Sequence, residues 1–307
     1  MSSSQNALAR ELIGDHKVLM VTGKGGIGKT VVSTCLAQLA TQLGRRVCLI
    51  ESRVDDQIAP LLGLSPVGHE LRRVNDRLSI INLNATANFR DFIVKHLGYE
   101  RLFERVFDTT MVRSFIRMLP GVAELTLLGR LYYMAQLSPE KFDLVIFDGF
   151  ASGHFLNLLT TPKAIVHSGL SGPVVNETQT VIDFFNQPGN SAIIQVATAE
   201  ELVLSELKEF LPKMVVAELS TVSTIILNRF ASDKALPKTC EDHLRGCLDF
   251  VRDQYDSYAD RADELRLWID AQKLGHIKLR TLPDLGLLDE PFTPTFAQEF
   301  FAESTSL

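Results

Sequence analysis

The chain has 307 residues, 46% hydrophobic and 22% charged, with a net charge of -6. That balance suits a globular protein built as one large α/β domain or as one domain carrying an insertion. No lysine- or arginine-rich block is present, which argues against sequence-blind nucleic-acid binding by phosphate neutralisation. No apolar run is long enough to span a bilayer. The four cysteines, Cys35, Cys48, Cys240 and Cys247, form no C-x-x-C pair, which argues against structural zinc and against a disulfide framework. The expected compartment is reducing cytoplasm.

The N-terminal stretch MSSSQNALARELIGDHK lacks the apolar core of a signal peptide and reads as a polar tail leading into a helix. A first strand is expected over 17–22. It runs into Gly23-Lys24-Gly25-Gly26-Ile27-Gly28-Lys29-Thr30, and a helical pattern follows over 31–43. This is G-x-x-x-x-G-K-T between a strand and a helix, the setting that a phosphate-binding loop requires. Glycines let backbone N–H groups converge on phosphate oxygens, and the helix N-terminus adds partial positive charge. The candidate cradle is Gly25, Gly26, Ile27, Gly28, Lys29, Thr30 and Val31. Lys29 is placed to neutralise the β- and γ-phosphates, and the Thr30 hydroxyl to bind Mg²⁺. The plain alternative is a chance glycine turn before a helix.

Further strands are expected over 46–51, 78–84, 143–147, 192–197, 222–227 and 277–282, with helical stretches between most of them. Such alternation gives a mostly parallel sheet covered by helices on both faces, with ligands beyond the carboxyl ends of the strands. One block departs from it. Residues 88–139 carry helical periodicity and no strand, over 89–97, 99–107, 109–119 and 121–137, and read as an all-helical insertion in a single domain, 1–307. The block is rich in large apolar residues, among them Phe103, Phe107, Met111, Phe115, Met118, Leu119, Tyr132, Tyr133 and Met134. They read either as a small helical core or as a surface for a client. Residues 237–273 carry mixed charge at helical spacing and read as a solvated amphipathic hairpin.

At the fourth strand, apolar residues end in Asp148, a carboxylate placed to hold Mg²⁺ through its water shell. After it come Gly149-Phe150-Ala151-Ser152-Gly153-His154, then Leu156, Leu159 and Pro162. Here a resemblance becomes specific. Lys24 completes K-G-G-x-G-K-T, which is similar to the deviant Walker A motif of MinD/ParA/ArsA-type ATPases. The stretch 148–162 resembles the D-x-x-x-T-G-H-x-L-x-x-L-x-x-P switch II segment of the arsenite-pump and tail-anchored-protein-targeting ATPases, with Ser152 in place of threonine. Pro120-Gly121-Val122-Ala123-Glu124 is similar to that family's P-G-x-x-E, and Ile225-Ile226-Leu227-Asn228 to its strand ending in an adenine-reading Asn. The resemblance covers about residues 15–302.

The resemblance implies an α/β P-loop NTPase fold, ATP and Mg²⁺ as cofactors, and a dimer with a like chain or a homologous ATPase. Its client would be hydrophobic or a membrane protein. It further implies that Lys24 crosses the dimer interface, that Lys29 acts on the phosphates, that Thr30 and Asp148 serve the metal, and that Asn228 and the loop at Pro283 contact the base or ribose. Asn228 also reads as an ordinary strand-end turn residue. One departure bears on catalysis. Where the family has an aspartate that polarises the attacking water, in D-P-A, this chain has Arg53, which accepts no proton. Asp55 or Asp56 substitutes if the loop shifts; otherwise these acids are a solvated turn. Two outcomes stay open: a slow ATPase switch, or a nucleotide-binding scaffold that acts with a homologous paralogue.

Overall fold

The computed structural model describes residues 3–97, 121–167, 169, 171–217, 219–230, 245–284, 291–302 and 304–306. Among them a nine-stranded sheet runs through the molecule in the order β3-β4-β2-β5-β1-β6-β7-β8-β9. Its strands are β1 (Val18–Thr22), β2 (Val47–Glu51), β3 (Arg72–Arg73), β4 (Leu78–Asn82), β5 (Leu144–Asp148), β6 (Ser191–Ala197), β7 (Thr221–Leu227), β8 (Lys278–Thr281) and β9 (Thr305–Ser306). The seven expected strands are all present and mutually parallel. The two-residue edge strands β3 and β9 are additional and antiparallel. Both lie at sheet margins, and neither is long enough to leave a periodic pattern in the sequence.

Every residue of β1, β2, β4, β5 and β6 is buried, as expected for parallel strands covered on both sides. Side chains alternate between two cores. One holds Val18, Met20, Val145 and Phe147 against α5 (Val122–Gln136), α6 (Ser152–Val166), α7 (Pro173–Asn186) and α8 (Glu201–Ala217). The other holds Leu19, Val21, Leu144 and Ile146 against α1 (Ser3–Ile13), α2 (Lys29–Gln42) and α10 (Pro294–Ala302). Cys35 and Cys48 are buried free thiols in these layers.

Within the helical block, α4 (Ala85–Leu97) and α5 flank residues outside the described set. The expected helices over 99–107 and 109–119 fall among those residues, as do Phe103, Phe107, Met111, Phe115, Met118 and Leu119. On α5, Met134 is buried, and Tyr132 and Tyr133 pack against the core; their role is core packing. The stretch expected as a hairpin is, over its described part, one 27-residue helix, α9 (Arg245–Ala271). Mixed charge at helical spacing marks a solvated helix but carries no information about a reversal, and no proline interrupts 245–271.

β1 lies between β5 and β6, and the chain passes first to one side of it and then to the other. This is a topological switch point, where a crevice opens at the strand carboxyl ends. Register places Val21 beside Asp148 and Asp148 beside Glu51. The segments leaving β1, β2 and β5 therefore emerge side by side.

The turn out of β1 depends on Gly23, whose φ is +148° and where an added Cβ would lie 2.1 Å from the Val196 carbonyl oxygen. Gly23→Ala is therefore expected to lose at least about 2 kcal/mol of unfolding free energy in a denaturant titration. At Gly25 an added Cβ meets nothing within 4 Å, so Gly25→Ala should change stability by no more than about 0.5 kcal/mol.

Candidate functional site

The glycine loop closes over the end of β1 and enters α2, for which Gly28 is the N-cap, with φ 91°. An added Cβ on Gly28 would meet the Asn228 side-chain nitrogen at 2.4 Å. That nitrogen donates to the Ile27 carbonyl at 2.8 Å. Asn228 thus braces the loop from the end of β7, with its Oδ1 left over. Gly25 and Gly26 are exposed and face open space. Among the described residues the amides of Gly25, Gly26 and Gly28 donate to no backbone carbonyl. The first amides of α2 are free by helix geometry. Together they make a run of free donors of the kind that takes anions.

Lys29 is buried, and its ammonium donates to the Lys24 carbonyl at 2.8 Å, beneath the loop. Burial pulls its pKa below the ordinary lysine value; Asp148 opposes the shift and Arg53 adds to it. Lys24 points elsewhere, pairing with Glu206 on α8 at 3.2 Å. Val31 continues α2 beside the loop and is partly buried.

Asp148 is 1% exposed at the end of β5. Thr30 Oγ1 donates to its Oδ2 at 2.7 Å, and Gln57 Oε1 lies 3.3 Å from the same hydroxyl. Ser33 Oγ lies 2.9 Å from Oδ1. Arg53 Nη2 lies 3.4 Å from Oδ2. Oxygen donors of this type match the preference of Mg²⁺, so Thr30 and Asp148 fit a metal in kind. Arg53 places a permanent cation on the same carboxylate. Ser33 and Gln57 were not legible as site residues. Ser33 stands three residues beyond Thr30 on the same helix face, which is the pattern that would have found it.

The acids after β2 have separate fates. Asp55 is exposed. Asp56 uses both oxygens on its own loop, accepting from the Ala59 amide at 2.9 Å and from the Val67 amide at 2.5 Å. Those bonds hold the start of α3 (Ile58–Leu61) and do not bring the carboxylate to the glycine loop. Glu51, fully buried, accepts from the Gln57 and Ile58 amides at 3.2 Å. Pro283 follows β8, half-buried, and Phe230 N bonds to the Leu282 carbonyl at 2.8 Å, so the segments after β7 and β8 leave the sheet together.

Burial, followed by a hydrogen bond shared with Asp56, pushes the Glu51 carboxyl up to about 8. Its folded-state pKa lies above its unfolded one, so its contribution is complete below about pH 4.3 and is lost as pH rises through about 8. Thermal unfolding should show stability falling across that window. Glu51→Gln should flatten the slope and gain at least about 1 kcal/mol relative to wild type at pH 8.

The chain is similar in sequence to several known ATPases. The ATPase BagA of Mycobacterium tuberculosis is 25% identical over 226 residues, which cover 68% of this chain and 64% of that protein. The chain thus spans somewhat less than two thirds of the mycobacterial relatives it matches. The ATPase GET3 of Lachancea thermotolerans is 24% identical over 302 residues, 81% of this chain and 84% of the relative. A putative arsenical pump-driving ATPase of Prosthecochloris vibrioformis is 26% identical over 152 residues, 48% of this chain and 36% of that one. The profile of the anion-transporting ATPases matches residues 16–171, just over half of the chain, including the glycine loop and the segment after β5. With its α/β P-loop fold, the chain belongs to the anion-transporting ATPase family, whose members bind nucleotide.

Proposed function

We propose that this chain is an ATP-binding conformational switch of slow turnover that works as a dimer on a hydrophobic client. The observation that supports it is the convergence of free loop amides, the Lys29 ammonium and the Thr30–Asp148 pair at the end of β1. In this reading Gly25, Gly26, Ile27, Gly28 and Thr30 cradle the phosphates, Val31 supports them at the helix start, and Lys29 neutralises their charge. When Mg²⁺ is present, Thr30 and Asp148 would hold it. Bound Mg²⁺ supplies charge neutralisation and orientation of phosphate oxygens. Asn228, with Nδ2 committed to Ile27, offers Oδ1 toward adenine, and Pro283 packs on the base or ribose side.

Slow turnover follows from the groups beside the phosphates. Orienting an attacking water needs an acceptor, and Arg53 only donates. Asp56 is engaged at both oxygens, and Asp55 is exposed. Loss of a water-orienting group slows hydrolysis by roughly 10²–10⁴-fold. For the dimer, Lys24 leaves Glu206 and crosses to the facing nucleotide. Leu202, one turn before Glu206 on α8 and 71% exposed, lies on the same helix face. No helix among the described residues is long and apolar enough to cross a membrane, and we place the protein in the cytoplasm. A second reading is a scaffold without useful catalysis that pairs with a homologous subunit; the Arg53–Asp148 ion pair favours it.

Lys29→Ala should weaken ATP binding at least about tenfold by calorimetry, the loss expected for a charged contact. Addition of ATP and Mg²⁺ should change the mass or shape of the pure protein in sizing; an unchanged profile contradicts the switch. Turnover by the chain alone that survives Arg53→Ala and is lost in Asp55→Ala or Asp56→Ala contradicts the scaffold reading.

A further inference from the structure

We propose that the Arg53 guanidinium is a built-in counter-cation shared by Asp148 and a bound polyphosphate, so that this chain holds its nucleotide without depending on a divalent metal. The inference rests on the nucleotide-binding reading above and deepens it at one residue.

Position carries the argument. Arg53 Nη2 lies 3.4 Å from Asp148 Oδ2, the oxygen that also receives the Thr30 hydroxyl at 2.7 Å. Thr30 and Asp148 are the pair assigned to the metal, and a fixed cation already stands on that pair. The backbone holds it there. The Arg53 amide donates to Asn82 Oδ1 at 3.0 Å, and the Ser52 hydroxyl donates to the Leu83 carbonyl at 2.9 Å. Both anchors tie the loop after β2 to β4 and the residue that follows it.

Chemistry extends the argument to phosphate. A guanidinium has five N–H donors in a planar fork. Here Nη2 serves Asp148, while Nε makes no hydrogen bond and lies 3.9 Å from Glu51 Oε2. Nε is itself buried, but the side chain as a whole is 29% exposed, so the Nη groups are the donors left for a ligand. Arginine pairs with phosphate in a bidentate, charge-assisted way. Arg53 raises the cost of the Lys29 charge, and Asp148, which opposes it, does not bring the lysine back to its ordinary pKa. A polyphosphate would offset the excess positive charge. An acidic residue at position 53 would instead repel both Asp148 and the phosphates and would leave a divalent cation to hold them together.

The test is calorimetric titration of the full chain with ATP in Mg²⁺ and again in EDTA. Wild type should change affinity by less than about threefold between the two buffers. Arg53→Gln should lose at least about tenfold in EDTA and recover most of it in Mg²⁺. Arg53→Lys, which keeps the charge without the fork, should fall between them and carries the comparison if Arg53→Gln does not fold. Wild-type affinity that collapses more than about tenfold in EDTA overturns the inference while leaving nucleotide binding intact. Absence of binding in both buffers overturns the nucleotide reading and this inference with it.

Discussion

A carboxylate at the centre of a parallel sheet has to be compensated, and the compensation of Asp148 organises this molecule. Burying an unpaired charge costs several kcal/mol. Asp148 avoids that cost with the Thr30 and Ser33 hydroxyls from α2 and the Arg53 guanidinium from the loop after β2. Two segments distant in sequence are thereby tied to one side chain on a third. The glycine loop sits above this knot, and Lys29 is held under it by the Lys24 carbonyl. The site and the loop that carries Arg53 are therefore in direct contact through Asp148.

The same knot reaches the helical layer. Thr22 Oγ1 donates to the Phe150 carbonyl at 3.0 Å, and Phe150 packs against Phe147 and His154. Ser52, Asn88, Glu124, Phe150 and His154 line one small cavity of about 70 Å³. The loops after β2 and β5 thus meet the ends of α4 and α5 in a single place. Both loops line the cavity that the start of α5 also lines, and α5 packs on the core through Leu127, Leu128 and Leu131. That contiguity is the physical basis on which phosphate chemistry would be felt in the helices.

Much of this was legible from local pattern. Parallel strands buried on both faces leave unbroken apolar runs, so seven of them stood out. A glycine loop between strand and helix fixes its own setting. The two-residue edge strands left no period to read, and α9 had a charge pattern that two opposed helices would share with one. The site was legible where spacing is short, as in Gly23 through Thr30. It was not legible where partners are remote: Arg53 and Asp148 lie 95 residues apart, and Asn228 lies 201 residues from the carbonyl it braces. Asp56 stood out as an acid near the site, yet its oxygens are spent on the Ala59 and Val67 amides, a local turn whose demand for an acceptor composition does not reveal.

The central claim is that main-chain amides of the glycine loop, together with Lys29, receive a triphosphate. Hydrogen–deuterium exchange of the full chain with and without ATP reads those amides directly. The account predicts strong protection confined first to peptides covering 23–32, with weaker protection after β2 and β5, and loss of all three in Lys29→Ala. Exchange in 23–32 that is identical with and without saturating ATP would contradict it.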